Sequence, residues 1–380
     1  MTEFFANLRH ASRTFRRAPA VAALAITILA TGIGASTVMY TLVQSVLLRE
    51  LRFQEPERLV WMYNTRTERD RAPLSVPDLE DYRREASGLS GLAVFTNWTT
   101  NLTGIGTPER LDGVRVSGNF FELLGTSAAL GRTLQPDDET RERRVAVLTY
   151  GLWQRRFGGD PAVVGTDVSL NGATYTVVGV LCRRFLFPFR EAELAVPVTL
   201  QSDPRRADRG ANFLRVIARL APAVTLGQAK ADLDTIAHRL QQLYPTENAR
   251  KIGISLYPLH TEIVRDYRGM LWTLFASVGV LLLVGCVNLA NLLLVRATDR
   301  QTEFAVRTSL GASGGQLVRQ LLGETASLAL AGGVAGLGLA YAALAAWRAW
   351  GPADFPHLAI IGLDWGVLLF AVALSSLWEP

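Results

Sequence analysis

Residues 271–295 read LWTLFASVGVLLLVGCVNLANLLLV, about 25 positions without a charged side chain. A helix closes its backbone hydrogen bonds within itself, and ~20 apolar helical residues cross a hydrocarbon core. This run therefore predicts a membrane span, and it constrains everything on either side. It empties into RATDRQTEFAVRTSLGAS, where Arg296, Asp299, Arg300, Glu303 and Arg307 mix with apolar residues at helical spacing. Glu303 and Arg307 stand acid before base four apart, a supporting helical pair. Phe304, Val306 and Leu310 make an apolar edge, and Gly311-Ala312 ends the helix. An apolar edge in a short polar segment predicts that something docks there.

Two more apolar runs fit a span. One starts PAVAALAITILATGIGASTVMYTLV at Pro19 and continues to residue 48, longer than a secretory signal core and without a cleavage site behind it. The other covers residues 317–347 and carries Glu324 near its start. Gly32, Gly34 and Ser36 in the first run, and the GxxxG pair Gly332 and Gly336 in the later one, are small residues that let membrane helices approach closely. A fourth apolar run, residues 365–377, is too short to span, so the chain reads as cut short at Trp378-Glu379-Pro380. Ahead of the first span, residues 1–18 place Phe4, Leu8, Ala11 and Phe15 on one side of a helix. Arg9, Arg13, Arg16 and Arg17 fall mostly on the other. That pattern suits a helix lying in the interface against anionic lipid, and the arginines put the N-terminus in the cytoplasm.

The stretch between the first two spans, residues 49–268, reads as a water-facing mixed domain. Strand patterns occur at 58–63, 145–149 and 175–180, and Asn171-Gly172 between two such runs is a hairpin signal. Helical spacing occurs at 76–85 and at 225–243, the latter with Thr225 as N-cap and Pro245 just beyond its end. Asp137-Asp138-Glu139, flanked by Arg132, Arg141, Arg143 and Arg144, reads as a solvated turn rather than a metal site.

The histidines are scattered, Cys182 and Cys286 lack ligand spacing, and no HExxH, GxSxG or GxxxxGK[ST] pattern occurs. The chain therefore offers no catalytic set, no metal site and no phosphate-cradling loop of its own. A net charge of +5 over 380 residues, with no basic stripe interleaved by aromatics, argues for membrane-flanking loops and against nucleic acid as a partner.

The segment R-x2-DRQTEFAVRTSLGAS-x3-LVRQLLGE resembles the permease signature of the FtsX/MacB-like family of ABC transporter subunits. Its matching positions are Arg296, Glu303, Arg307, Leu310, Gly311, Ala312, Arg319 and Glu324. Residues 116–138, 145–180 and 213–240 are similar to that family's MacB-type periplasmic core domain, and the whole resembles the first half of the duplicated acidobacterial-type permeases. The resemblance implies a non-catalytic subunit of a bacterial inner-membrane transporter. A separate ABC ATPase would use ATP and magnesium and dock on a coupling helix at 297–312. No cofactor would be bound by this chain, which would work as a homodimer or as paired permease halves in contact with lipid.

The expected fold class is thus an α-helical membrane protein with a large extracytoplasmic α+β domain, three complete transmembrane helices and a truncated fourth. The expected parts are an interfacial helix (1–18), a first span with stalk (19–48), the core domain (49–268) and an FtsX-like region (269–380). Within the core domain the resemblance implies one lobe from 52–115 plus 195–262, with 116–194 inserted as a second. The competing expectation is a membrane-anchored binding or regulatory module in which ATP coupling has been lost.

Overall fold

The computed structural model describes residues 19–44, 53–104, 106–183, 185, 187, 192–299 and 314–350. The expected interfacial helix (1–18) and fourth run (365–377) lie outside the described residues.

The chain divides into two units, residues 50–265 and the remainder. Among the described residues the remainder holds three long helices: α1 (Pro19–Val43), most of α7 (Leu259–Asp299) and α8 (Gly314–Trp350). Each contains a stretch long and apolar enough to cross a membrane: Ala22–Val43, Tyr267–Asn288 and Ser327–Trp347. The hydroxyls of Thr27, Thr31 and Thr41 donate to the carbonyls of Ala23, Thr27 and Thr37 one turn back, so these polar groups bring no unsatisfied donor into the apolar stretch.

The other unit is a mixed sheet with helices on it. Its strands are β1 (Leu59–Arg66), β2 (Arg69–Ala72), β3 (Leu89–Thr103), β4 (Glu109–Val116), β5 (Ala128–Gly131) and β6 (Val145–Leu148), then β7 (Asp167–Leu170), β8 (Ala173–Leu181), β9 (Leu194–Pro197), β10 (Arg215–Leu220) and β11 (Lys251–Pro258). Its helices are α2 (Val76–Glu85), α3 (Phe120–Leu123), α4 (Pro136–Thr140), α5 (Tyr150–Phe157) and α6 (Leu226–Leu243). The strand order is β11-β1-β10-β3-β4-β9-β6-β8-β5, with β2 on β1, and β7 on β3 and β8.

Strand period decides which side each residue serves. Val60, Met62, Leu92, Val94, Val216 and Ala218 point to a core shared with α2 and α6. Their neighbours Leu59, Trp61, Ala93, Phe95 and Ile217 point the other way, into an aromatic core with Phe120 and Phe121 of α3 and Phe185 and Phe187. Both faces of the central strands are thus covered, which is why β1 begins LVWM without a polar residue. The five buried residues of α6, Ala229, Leu233, Ile236, Ala237 and Leu240, recur at helical spacing, and its start is a capping box: Thr225 Oγ1 accepts from Gln228 N–H while Gln228 Oε1 accepts from Thr225 N–H. Asn171 and Gly172 turn β7 into β8 with φ of 51° and 77°, the left-handed pair a two-residue hairpin needs.

A third core gathers Leu102 of β3 and Leu111 of β4 with Val168, Val177, Val180, Leu194 and Val196. β4 pairs in parallel with β9, and β3 pairs with β7. β5 to β9 therefore continue the same sheet, with β7 on the end of β3 at Leu102 and Thr103 and β9 along the edge of β4 that β3 leaves free, at Gly113–Val116.

One expectation is corrected. Asp138 is not part of a solvated turn: it is fully buried in α4, 2.5 Å from Arg132 Nη1 and 3.7 Å from Arg143 Nη1, and it accepts from the backbone N–H of Gln135. The flanking arginines that suggested solvation are what neutralise it.

Candidate functional site: the helix pair and the root of the long helix

α1 and α8 meet through their smallest residues. A Cβ on Gly336 would stand 3.0 Å from the Ala30 carbonyl oxygen and 3.0 Å from Ile33 Cβ; one on Gly34 would stand 3.0 Å from the Gly336 carbonyl oxygen. At Gly332 the added atom would be 2.5 Å from Leu29 Cβ. Gly34 therefore lies opposite Gly336, while the space at Gly32 is bounded by Leu282 of α7 at 3.1 Å. Ser36 is buried. α7, by contrast, leaves Leu281, Leu283 and Val287 exposed, so its apolar stretch needs lipid or another protein surface.

Of the expected docking segment, Arg296 falls in the last turns of α7, which ends at Asp299. Glu303, Phe304, Arg307, Leu310, Gly311 and Ala312 lie outside the described residues.

Sequence reasoning missed the cluster at the root of α7. Glu262, in the first turn and nearly buried, accepts from Tyr63 Oη (3.1 Å) on β1, Arg71 Nε (3.2 Å) on β2 and Arg265 Nη1 (2.7 Å). Burial, and then the Glu262 carboxylate, raise the Tyr63 phenol above its ordinary range, so the ring stays a hydrogen-bond donor. Arg71 also lies 3.9 Å from the ring centre of Tyr257, whose hydroxyl donates to Asp70 at 2.6 Å. That bond holds the Asp70 carboxyl below the usual carboxylate range. The partners are some 190 residues apart in sequence. The only local signal is Glu262 three positions before Arg265 on a helix.

A second network ties α2 to β11. Asp78, almost fully buried, receives Lys251 Nζ (2.5 Å) and Arg209 Nη1 (2.9 Å), and Arg209 reaches on to Asp81 (2.6 Å). Burial pushes the Lys251 ammonium down and Asp78 opposes it. Neither network offers a nucleophile with a base beside it. Among the described residues no group of His, Cys, Asp and Glu stands close enough to hold a metal. The chemistry on display is anchoring, by buried ion pairs and close-packed glycines.

Residues 22–236 match the family described as MacB-like periplasmic core domain, and residues 275–377 match the one described as FtsX-like permease C-terminal. An uncharacterized ABC transporter permease, YknZ of Bacillus subtilis, is 27% identical over 264 residues, covering 69% of this chain and 63% of that one. The macrolide export ATP-binding/permease protein MacB of Chromobacterium violaceum is 27% identical over 245 residues, covering 60% of this chain and 34% of the relative. The chain thus spans less than two thirds of the length of either. Among solved structures, the periplasmic region of MacB from Actinobacillus actinomycetemcomitans aligns with a TM-score of 0.41 at 15% identity, over 58% of this chain and 92% of that one.

Proposed function

The chain belongs to the family of the MacB-like periplasmic core domain, and from that membership we propose that it is the membrane subunit of a MacB/FtsX-type ABC transporter. The observation that carries this reading is the order of parts: an apolar helix, an α+β unit, then two apolar helices flanking the segment with Glu303, Phe304 and Arg307. In this reading a separate ABC ATPase docks on residues 297–312, with Phe304 and Leu310 as its apolar contact and Arg296, Glu303 and Arg307 as its polar frame. ATP and magnesium are bound and used by that partner, and this chain contributes no catalytic group. The spans lie in a bacterial plasma membrane with the arginines of residues 1–18 in the cytoplasm and the α+β unit outside. The exposed apolar side of α7 faces lipid or the second copy that completes a dimer. ATP-driven movement of the spans is passed to the α+β unit, for export or for mechanical work on an envelope partner. The α1–α8 glycine contact holds the moving helices together, and the Glu262 cluster roots α7 in the sheet.

The test is co-purification of the tagged full chain from bacterial membranes, scored for a nucleotide-binding subunit and its ATPase rate. Deleting 297–312, or replacing Phe304 with Asp, should release that subunit while the chain still inserts. Retention of the ATPase by both variants would sink the proposal and leave a membrane-anchored binding module as the better account.

A further inference from the structure

β3 is the longest strand of the sheet, and its two edges are covered unequally. β4 pairs along one edge from Phe95 to Leu102. On the other edge β10 stops at Arg215, opposite Phe95, and β7 begins only at Leu102. The Val94 carbonyl accepts from Ser117 N–H, so even positions of β3 turn their backbone groups toward β4 and odd positions turn theirs toward the gap. Asn101 belongs to the odd set: its carbonyl accepts from Asn171 N–H, and its own N–H donates to Asn171 Oδ1. The Thr99 carbonyl accepts from Asn171 Nδ2 at 3.5 Å. Asn97 N–H, Asn97 C=O and Thr99 N–H are then left facing the gap without a backbone partner among the described residues. A groove of about 360 Å³ opens there, over Asn97 and Trp98.

The same alternation sorts the side chains at the gap onto two faces of the sheet. Thr96 pairs with Arg115 and Trp98 with Gly113, so Trp98 and Arg115 share one face, the guanidinium 5.1 Å from the ring centre. Arg215, paired with Phe95, stands on the opposite face, which is also the face of exposed Asn97. Asp203 feels the Arg115 charge but is bonded to Arg205, at 3.0 and 2.8 Å. Arg115 and Arg215 themselves have no carboxylate within 4.0 Å among the described residues. Each face of the open edge therefore carries a guanidinium charge in surplus. A compact anion can reach one face, whereas an extended chain reaches both, because successive side chains of a strand point to opposite sides.

We infer that the open edge of β3 takes up a short extended segment of a partner protein, added as a strand, with acidic side chains at successive positions. Its main chain bonds to Asn97 and Thr99, one acid meets Arg115 beside Trp98, and the next meets Arg215. Main-chain bonds supply the affinity in strand addition, and the alternate side chains supply the selectivity. A second copy of this chain, pairing through the same edge, would instead bring like charges together. The site lies wholly within residues 50–265, so it stands whether or not an ATPase is coupled to the chain.

The experiment is binding to the full chain in lipid nanodiscs, read by the fluorescence anisotropy of a labelled hexapeptide, TVEEVT. One twin, TVQQVT, lacks the charges; a second twin keeps them but is N-methylated at both glutamates and so cannot donate to a strand edge. TVEEVT should bind, and each twin should bind about tenfold more weakly or worse. Arg115→Gln with Arg215→Gln should weaken TVEEVT by about tenfold or more. Asn97→Pro deletes an open N–H on the side away from the β4 ladder and should weaken it about threefold or more. Arg250→Gln, an exposed arginine 3.7 Å from Glu68, should bind as the parent does. The N-methyl comparison uses the unaltered protein, so it reads the edge even where a variant does not fold. The inference is overturned if TVEEVT fails to bind, if either twin binds as well, or if binding survives the arginine pair or Asn97→Pro. Displacement of the peptide by free glutamate at equal concentration also overturns it and gives the groove to a small anion.

Discussion

Substituting Gly332 with Ala puts a methyl carbon 2.5 Å from Leu29 Cβ. Non-bonded carbons rest at ~3.5–4.0 Å, so α1 and α8 must part by about 1 Å at that level. The neighbouring approaches at Gly336 and Gly34 loosen with that movement, because the two backbones face each other there so closely that an added Cβ would stand 3.0 Å from a carbonyl oxygen. A radial gap of ~0.5–1 Å forfeits a quarter to a half of each contact's well, and overpacking of this kind costs about 1–3 kcal/mol. The offending partner is a Cβ, so Leu29→Ala brings no relief and Leu29→Gly does. Leu29→Gly alone costs several kcal/mol from the lost side chain and the helical glycine. The double variant Leu29→Gly/Gly332→Ala moves the Cβ from one helix to the other. It should therefore be more stable than the sum of the two single effects by about 1–2 kcal/mol. The assay is maleimide labelling of Ala340→Cys, a fully buried α8 position, as SDS is added to dodecyl-maltoside micelles, on a background lacking Cys182 and Cys286. Strict additivity, or an unchanged midpoint for Gly332→Ala, would refute the close-contact argument.

Replacing Lys251 with Met removes one cation from a buried carboxylate. Thermal denaturation should show a loss of about 3 kcal/mol, partly recovered by adding Asp78→Asn. The Asp138 carboxyl is desolvated, yet its bonds from Arg132 and Gln135 win and hold it below its ordinary value of 3.8. Its contribution is therefore fully present above pH 3.8 and lost as the pH falls through the lower folded value, whereas burial raises neighbouring Glu139 from 4.5 and gives the opposite slope. Asp138→Asn should accordingly flatten the loss of stability in acid, read from urea midpoints between about pH 5 and 2. Glu262→Gln leaves Arg71 and Arg265 facing a neutral amide. Hydrogen exchange should speed up in residues 259–265 by about tenfold while the strands of the sheet keep their protection.

Much of the fold was legible because its signals are local. The capped helix at Thr225, the Asn171-Gly172 hairpin and the three apolar helices each rest on residues within a few turns of one another. The spacing of Gly332 and Gly336 is visible in the sequence, but what faces them is not. Three small residues in α1 look equivalent by spacing, and only the helix crossing puts Gly34 opposite Gly336 and turns Gly32 toward Leu282. Asp138 was misread because an acidic residue among arginines looks alike whether water or an arginine solvates it; the distinction is burial, a tertiary quantity. The Glu262 cluster was illegible for the same reason. Tyr63 and Glu262 become neighbours only after folding has brought distant segments together.

The continuity of β3 and β4 across both halves of the sheet bears on how this protein can be dissected. Removing residues 117–193 would take β7 from β3 and would also break into the third core, leaving Leu102 and Leu111 without Val168, Val177 and Val180 to cover them. What remained would be a sticky half-sheet rather than a smaller domain, prone to pair with its own kind through the stripped strand edge. The far half fares no better alone, since its strands are seated on β3 and β4. Chimeras between such proteins should therefore exchange the sheet whole, with crossover points before Leu59 and after Pro258, where no ladder is cut.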